Sequence, residues 1–376
     1  MKAYLDFAAT CFIRKEALEA YLEVNSQSWG NPSSIHEAGY KAARVLAKAR
    51  ESVLSSLKLT KTHDCLFLSG ASEANNLAIK GTSLAFNSRG DKVIYGAGEH
   101  PSVIESCASL SRLGISALPI PLRDGAPDPM EAGKMISGAI LCAVMAVNNE
   151  TGAISDLDAF YSLRRDNPKT LLLVDATQAV GKEDFDYSKA DFISFSGHKI
   201  GAPKGVGALV IRKGLRIKPL IDGGEQELGL RAGTVDVASA SALAVALELS
   251  VKEQEAAKER ATLLYARLKE GLTAFTGLVK LHESPRQSPF ILSFSTLRHK
   301  ASVIVEGLSN MGYCVSSVSA CSSKRENSSY VLKAMGREER ECANPIRVSF
   351  SAFSTPEEVD GLLEALTVLF KEVRPL

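Results

Sequence analysis

Between residues 60 and 215, short apolar runs alternate with helix-like stretches, and this alternation restricts the fold more than any other feature. The runs are Cys65–Leu68, Lys92–Tyr95, Ala139–Val147, Thr170–Val174, Phe192–Phe195 and Ala208–Ile211. Each is apolar at consecutive positions, not at every second one, so both faces need a cover. Strands buried on both faces and separated by helical patterns form a mainly parallel sheet wrapped in helices, an α/β fold. Ligands of such sheets gather beyond the carboxyl ends of the strands. The residues that follow each run are therefore the ones to weigh.

Val237 to Lys269 reads as one long or broken helix, Ala- and Leu-rich over Ala240–Leu249 and charged from Lys252 onward. A helix that passes from buried to solvated suits a passage between domains. The 376 residues exceed one ordinary core, and the boundary is expected near residue 255. Residues 13–255 form the large domain, and 1–12 together with 256–376 a small α+β domain. In the small domain Phe290–Phe294 and Ile346–Phe350 read as strands, and 301–312 and 356–372 as helices. The only biased segment is Ser316–Ser329, where half the residues are serine.

Several function classes drop out. Lys plus Arg number 44 against 43 Asp plus Glu, so no basic excess points to nucleic acid or an anionic membrane. The longest apolar stretch, Ala139–Val147, is far short of the roughly 20 residues of a spanning helix. Met1–Asp6 lacks the apolar core of a secretory signal, and the expected address is the cytoplasm. Seven cysteines (11, 65, 107, 142, 314, 321 and 342) without a C-x-x-C pair argue against a disulfide framework or a zinc knuckle. The phosphate-loop, dinucleotide and zinc-protease signatures are absent.

Three constellations carry chemistry. Ser69 to Asn76 follows the 65–68 run, and a strand feeding Gly and Ser into a helix start suits a phosphate or, equally, an ordinary helix cap. Asp175 ends the run Leu171–Val174, where a buried carboxylate needs a partner: a pyridinium nitrogen, a ribose or a metal. Ser194 to Lys199 closes the 192–195 run with a lysine whose amine can condense with an aldehyde. Phosphate turn, acidic strand end and lysine strand end in one sheet specify pyridoxal phosphate (PLP) over a nucleotide. Cys321 stands apart: a lone cysteine is usually inert core, but this one lies in a polar segment beside Lys324 and Arg325, which favour a thiolate if they approach it.

These residues sit in a longer series: Tyr4–Thr10, Gly30–His36, Ser69–Gly81, Gly98–His100, Val147–Gly152, Val174–Gln178, Ser194–Lys199, Arg231–Thr234, Ser319–Cys321 and Ile346–Arg347. Together they resemble the cysteine desulfurase family, PLP enzymes of the class V aminotransferase superfamily, nearly end to end and in family order. The segment around Cys321 is similar to the long-catalytic-loop branch. The resemblance implies an aspartate-aminotransferase-type fold: a seven-stranded, mainly parallel sheet domain plus a small α+β domain.

It also implies roles. Lys199 carries the cofactor, Asp175 partners the pyridine nitrogen and His100 stacks on the ring. Gln178 and Asn149 hydrogen-bond the phenolic oxygen and the substrate side. Ala71, Ser72, Ser196 and His198 hold the phosphate. Thr234 reaches the phosphate of a neighbouring subunit in a homodimer. Arg347, helped by Asn31, binds the carboxylate of L-cysteine, and Cys321 takes the sulfur as a persulfide for a protein acceptor such as an iron–sulfur scaffold, or for tRNA thiolation. No resident metal is implied, Cys321 being at most a transient iron–sulfur ligand; neither nucleic acid nor membrane is a direct partner.

Four positions depart from the family pattern: Val318 and Glu225 replace common glycines, Leu228 and Ala352 common arginines. The rivals are a selenocysteine lyase or other small-substrate aminotransferase of the same fold, a non-catalytic scaffold, and a nucleotide-binding enzyme.

Overall fold

The computed structural model describes residues 1–317 and 328–375. Seven strands make the large sheet: β1 (His63–Leu68), β2 (Lys92–Gly96), β3 (Ser116–Ile120), β4 (Ala139–Met145), β5 (Leu171–Asp175), β6 (Phe192–Ser196) and β7 (Gly207–Arg212). Their spatial order is β1-β7-β6-β5-β4-β2-β3. Only β7 runs against its neighbours, so β1 to β6 all point their carboxyl ends the same way.

Both faces of the sheet are covered, as consecutive apolar residues require. Cys65, Phe67, Leu172, Val174, Ile193 and Phe195 face one core; Leu66, Leu68, Leu171, Leu173 and Phe192 face the other. On the first side lie α1 (Lys15–Gln27), α2 (Glu37–Ser56) and α6 (Val237–Lys252); on the second, α3 (Ala71–Asn76) and α4 (Pro101–Ala108). Helix α5 (Leu157–Asp166) adds Leu157 and Phe160 to the first core. The alanines of α6 (Ala240, Ala242, Ala244, Ala246) are small enough for α1 and α2 to lie close against it.

One large-sheet strand has no run in the sequence. In β3 only Ile120 is buried, and Pro119 sits within it. A proline costs nothing in hydrogen bonds on an edge strand, and an edge needs no continuous apolar run. The expected long helix from Val237 breaks at Glu253 and continues as α7 (Gln254–Leu272). Ala257, Ala261, Leu264, Leu268 and Leu272 recur at helical spacing on its buried face.

A second sheet of antiparallel strands follows, β8 (Val279–Leu281), β9 (Ile291–Thr296), β10 (Ser316–Ser317) and β11 (Pro345–Ser349), in the order β8-β9-β11-β10. It packs with α7, α8 (Ala301–Asn310) and α9 (Pro356–Glu372), whose N-terminus carries a capping box between Thr355 and Glu358. Ala3, Leu5 and Ala8 join this core from the opposite end of the chain. Among the described residues no helix is long and apolar enough to cross a membrane.

Candidate active site

The carboxyl ends of β1, β2, β4, β5 and β6 open on one cavity of about 370 Å3, walled on its far side by the N-terminal segment and by β10 and β11. Asp175, the last residue of β5, is 5% exposed. Its Oδ1 accepts from the Thr177 N–H at 3.0 Å and its Oδ2 from Asn75 Nδ2 at 2.8 Å. Both oxygens are held, and the carboxylate borders the cavity. Lys199, three residues beyond β6, donates from Nζ to the Ala8 and Ala9 carbonyls at 2.6 Å each. Gln178 donates to the same Ala8 carbonyl at 2.9 Å and accepts from Lys182 at 3.1 Å. Burial lowers the Lys182 pKa to about 8.

The turn after β1 lies beside the end of β6, where the Ala71 N–H donates to Ser196 Oγ at 2.8 Å. A side chain at Gly207 would fall 2.6 Å from the Gly70 Cα, so β7 must begin with glycine for this turn to lie against it. Ser72 and His198 border the same cavity, and His198 Nδ1 pairs with Thr10 Oγ1 at 3.0 Å. The pKa of His198 falls to about 4, through burial first and then the charges of Lys199, Lys204 and Lys182. Burial by itself would disfavour any charge there; the three lysine charges, the lesser causes, are what favour an anion.

Arg347 in β11 is 5% exposed. Its Nη1 donates to the Asn149 carbonyl at 2.8 Å and its Nη2 to Asp6 Oδ1 at 2.9 Å, while Nε has no partner among the described residues. Asn149 Oδ1 and Thr177 Oγ1 are buried without partners among the described residues, and both residues border the cavity. Glu150, beside them, accepts from Ser329 Oγ at 2.5 Å; burial raises its pKa to about 7, against the pull of Ser329 and Arg347.

The structure thus gathers Ala71, Ser72, His100, Asn149, Asp175, Gln178, Ser196, His198, Lys199 and Arg347 around one space. Asn31 and Thr234 are exposed and stand outside it within the single chain, and Asn31 Oδ1 caps its own turn at the Ser33 N–H. Cys321 and Val318 lie outside the described residues. Sequence reasoning passed over Asn75, Ser102, Asp6 and Glu150. Asn75 and Asp6 lie inside recognised motifs, but their partners, Asp175 and Arg347, are a hundred or more residues away, and no local pattern reports such a pairing.

The donor set fits PLP: an amine for its aldehyde, a carboxylate for its ring nitrogen, a pocket of hydroxyls, a backbone turn and an imidazole for its phosphate, and amide and hydroxyl oxygens without partners among the described residues on the remaining wall.

A family model, aminotransferase class-V, matches residues 3–362. The chain is 34% identical to a cysteine desulfurase IscS of Dictyoglomus turgidum, with 100% of this chain and 96% of that protein covered. Among solved structures it is similar to a NifS-like protein, with a TM-score of 0.91 at 33% identity over 99% of this chain and 100% of the other. It is also similar to SspA in complex with cysteine, with a TM-score of 0.80 at 27% identity over 94% and 99%.

Proposed function

This chain belongs to the aminotransferase class-V family and, within it, to the cysteine desulfurases, and from that membership we propose that its cavity uses PLP to take sulfur from L-cysteine and leave L-alanine. The observation that carries the proposal is the convergence of Lys199, Asp175 and His100 on one cavity whose opposite wall presents Arg347. A neighbour solved with cysteine supports the substrate.

Bound at this cavity, PLP would serve as an electron sink for the substrate Cα. Asp175, fixed by two donors, would keep a proton on the ring nitrogen. Lys199 would anchor the cofactor through its amine and, once released, would take the Cα proton of the substrate. Arg347, already oriented by Asp6 and the Asn149 carbonyl, turns its remaining donors to the substrate carboxylate. Ser72, Ser196 and His198 would hold the phosphate, aided by the Ala71 turn, and Thr234 would do so from a second subunit. Asn149 and Gln178 would bind the phenolic oxygen and the substrate side, and Asn31 would assist Arg347.

Cys321 then attacks the substrate sulfur as a thiolate. The C–S bond breaks, an S–S bond forms on Cys321 Sγ, and the three-carbon remainder leaves as alanine after protonation, so that cysteine plus thiol gives alanine plus persulfide. The persulfide passes to an acceptor protein, an iron–sulfur scaffold or a tRNA-thiolation carrier. In this reading residues 13–255 bind the cofactor, and 1–12 with 256–376 bring Arg347 and Cys321 to it.

The test is mass spectrometry of the protein after treatment with L-cysteine. One added sulfur is expected on the peptide containing Cys321, and none in Cys321→Ser, which keeps the visible absorbance of bound cofactor. Lys199→Ala should lose both the absorbance and the added sulfur. Normal sulfide release by Cys321→Ser would remove the cysteine from the mechanism.

A further inference from the structure

His100 is the N-cap of α4, and its Nδ1 accepts from the Ser102 backbone N–H at 3.2 Å. An amide N–H can only donate, so Nδ1 carries a lone pair, and a neutral ring then holds its one proton on Nε2. Ser102 Oγ lies 2.9 Å from the same Nδ1 and 2.9 Å from Asn75 Nδ2. Asn75 is fully buried, and its amide has only one workable orientation. Nδ2 reaches Asp175 Oδ2 at 2.8 Å, a carboxylate oxygen that only accepts, and Oδ1 takes the Ser194 hydroxyl at 2.5 Å. The second hydrogen on Nδ2 goes to Ser102 Oγ, which leaves the Ser102 hydroxyl hydrogen to point at Nδ1. One amide therefore touches Asp175 directly and His100 through a single hydroxyl.

We propose, on the desulfurase reading, that Asn75 and Ser102 are positioning residues that fix His100 as a neutral imidazole protonated on Nε2. His100 then offers the cavity a hydrogen-bond donor and not a base, and removal of the substrate proton is left to Lys199. Taking up a second proton would set an Nδ1–H against the Ser102 N–H, which can only donate, and would force the Ser102 hydroxyl hydrogen to turn away. Desolvation lowers the His100 pKa; of the two nearby charges Asp175, the larger, opposes this and Lys199, the smaller, assists it, so the hydrogen-bond geometry carries the assignment. Neutral histidine at a helix N-terminus acting as an electrophile is an arrangement known from isomerase chemistry.

The experiment is long-range 1H–15N spectroscopy of the imidazoles in the full-length protein, with and without PLP, using His100→Gln to assign the signal among six histidines. The expected result is a pyridine-type Nδ1 and a pyrrole-type Nε2, unchanged through the range where a free histidine titrates. A pyrrole-type Nδ1, or a ring that titrates like a free one, overturns the proposal whether or not the protein desulfurates cysteine. Absent sulfur transfer with the expected tautomer would instead sink the functional reading alone. Ser102→Ala removes one of the two donors opposing Nδ1–H. Both the His100 titration and the acid limb of kcat/KM should move to higher pH, and Ser102→Thr should return them. A titration unmoved in Ser102→Ala removes Ser102 from the relay.

Discussion

Arg347, the proposed partner of the substrate carboxylate, is already oriented by its neighbours. Two of its guanidinium nitrogens are spoken for, one by the Asn149 carbonyl and one by Asp6, and the third, Nε, is buried without a partner among the described residues. Asp6 is itself desolvated, which raises its pKa, and Arg347 pulls it back down. A guanidinium held along one edge loses less freedom when it grips a carboxylate with the other. Asp6→Ala should therefore weaken substrate binding more than it slows turnover. A charge-assisted hydrogen bond contributes about 1.5–3 kcal/mol, so KM for L-cysteine should rise about tenfold or more with kcat less affected. Steady-state kinetics read the split. An unchanged KM would mean that Arg347 does not depend on this neighbour.

At the scale of elements, the site is positioned by what holds strand ends and helices in register. Glu227 is a buried carboxylate in the loop after β7, with φ of +47°. It accepts from Arg50 of α2 through both oxygens, at 2.9 and 3.0 Å, and from the Phe67 N–H of β1 at 2.8 Å. Arg50 also donates to the Cys65 carbonyl. Helix, loop and the strand that leads into the Ser69–Ala71 turn are thus joined at one charge pair. Removing one partner of such a pair strands the other, at a cost of about 3–5 kcal/mol. Urea denaturation of Arg50→Ala should show a loss of about that size, and Arg50→Lys should recover only part because lysine cannot bond both oxygens in parallel. A loss under about 1 kcal/mol in Arg50→Ala would show that the pair is not stabilising.

At the scale of the molecule, the two sheets meet at the cavity through the chain's beginning and its last third. Leu5 is fully buried in the second core, and the carbonyls that hold Lys199 follow three and four residues later. Across the cavity Ser329 bonds Glu150, and the Tyr330 hydroxyl donates to the Glu99 carbonyl at 2.7 Å. Glu150 makes this contact sensitive to pH. Its folded pKa of about 7 stands above the ordinary 4.5, so the folded protein keeps a proton that the unfolded chain releases. The stabilisation is fully present below pH 4.5 and is lost as pH rises through about 7. His198, with a lowered pKa, acts in the opposite direction but does so equally in a Glu150 variant. Glu150→Gln should therefore gain on the native protein, by up to about 3 kcal/mol, as pH rises from about 5 to about 8. Thermal melts at several pH values would show it, and a gap that does not change with pH would place the titration elsewhere.

The sequence by itself determined the sheet, because a strand buried on both faces needs apolar residues at consecutive positions, and β1, β2 and β4 to β7 each carry such a run. It determined the chemical inventory as well, since Lys199 and Asp175 stand at strand ends where a parallel sheet presents its ligands. The edge strand β3 escaped notice because an edge needs neither continuous apolarity nor every N–H, and Pro119 lies within it. Only the tertiary structure decided the partners. That Asn75 holds Asp175, that Asp6 holds Arg347 and that the Ala8 and Ala9 carbonyls receive Lys199 are facts about residues between about a hundred and more than three hundred positions apart. Side-chain hydrogen bonds between distant elements have no periodicity along a chain; they exist where folding brings a donor to an acceptor, and that meeting is set by the packing of whole elements.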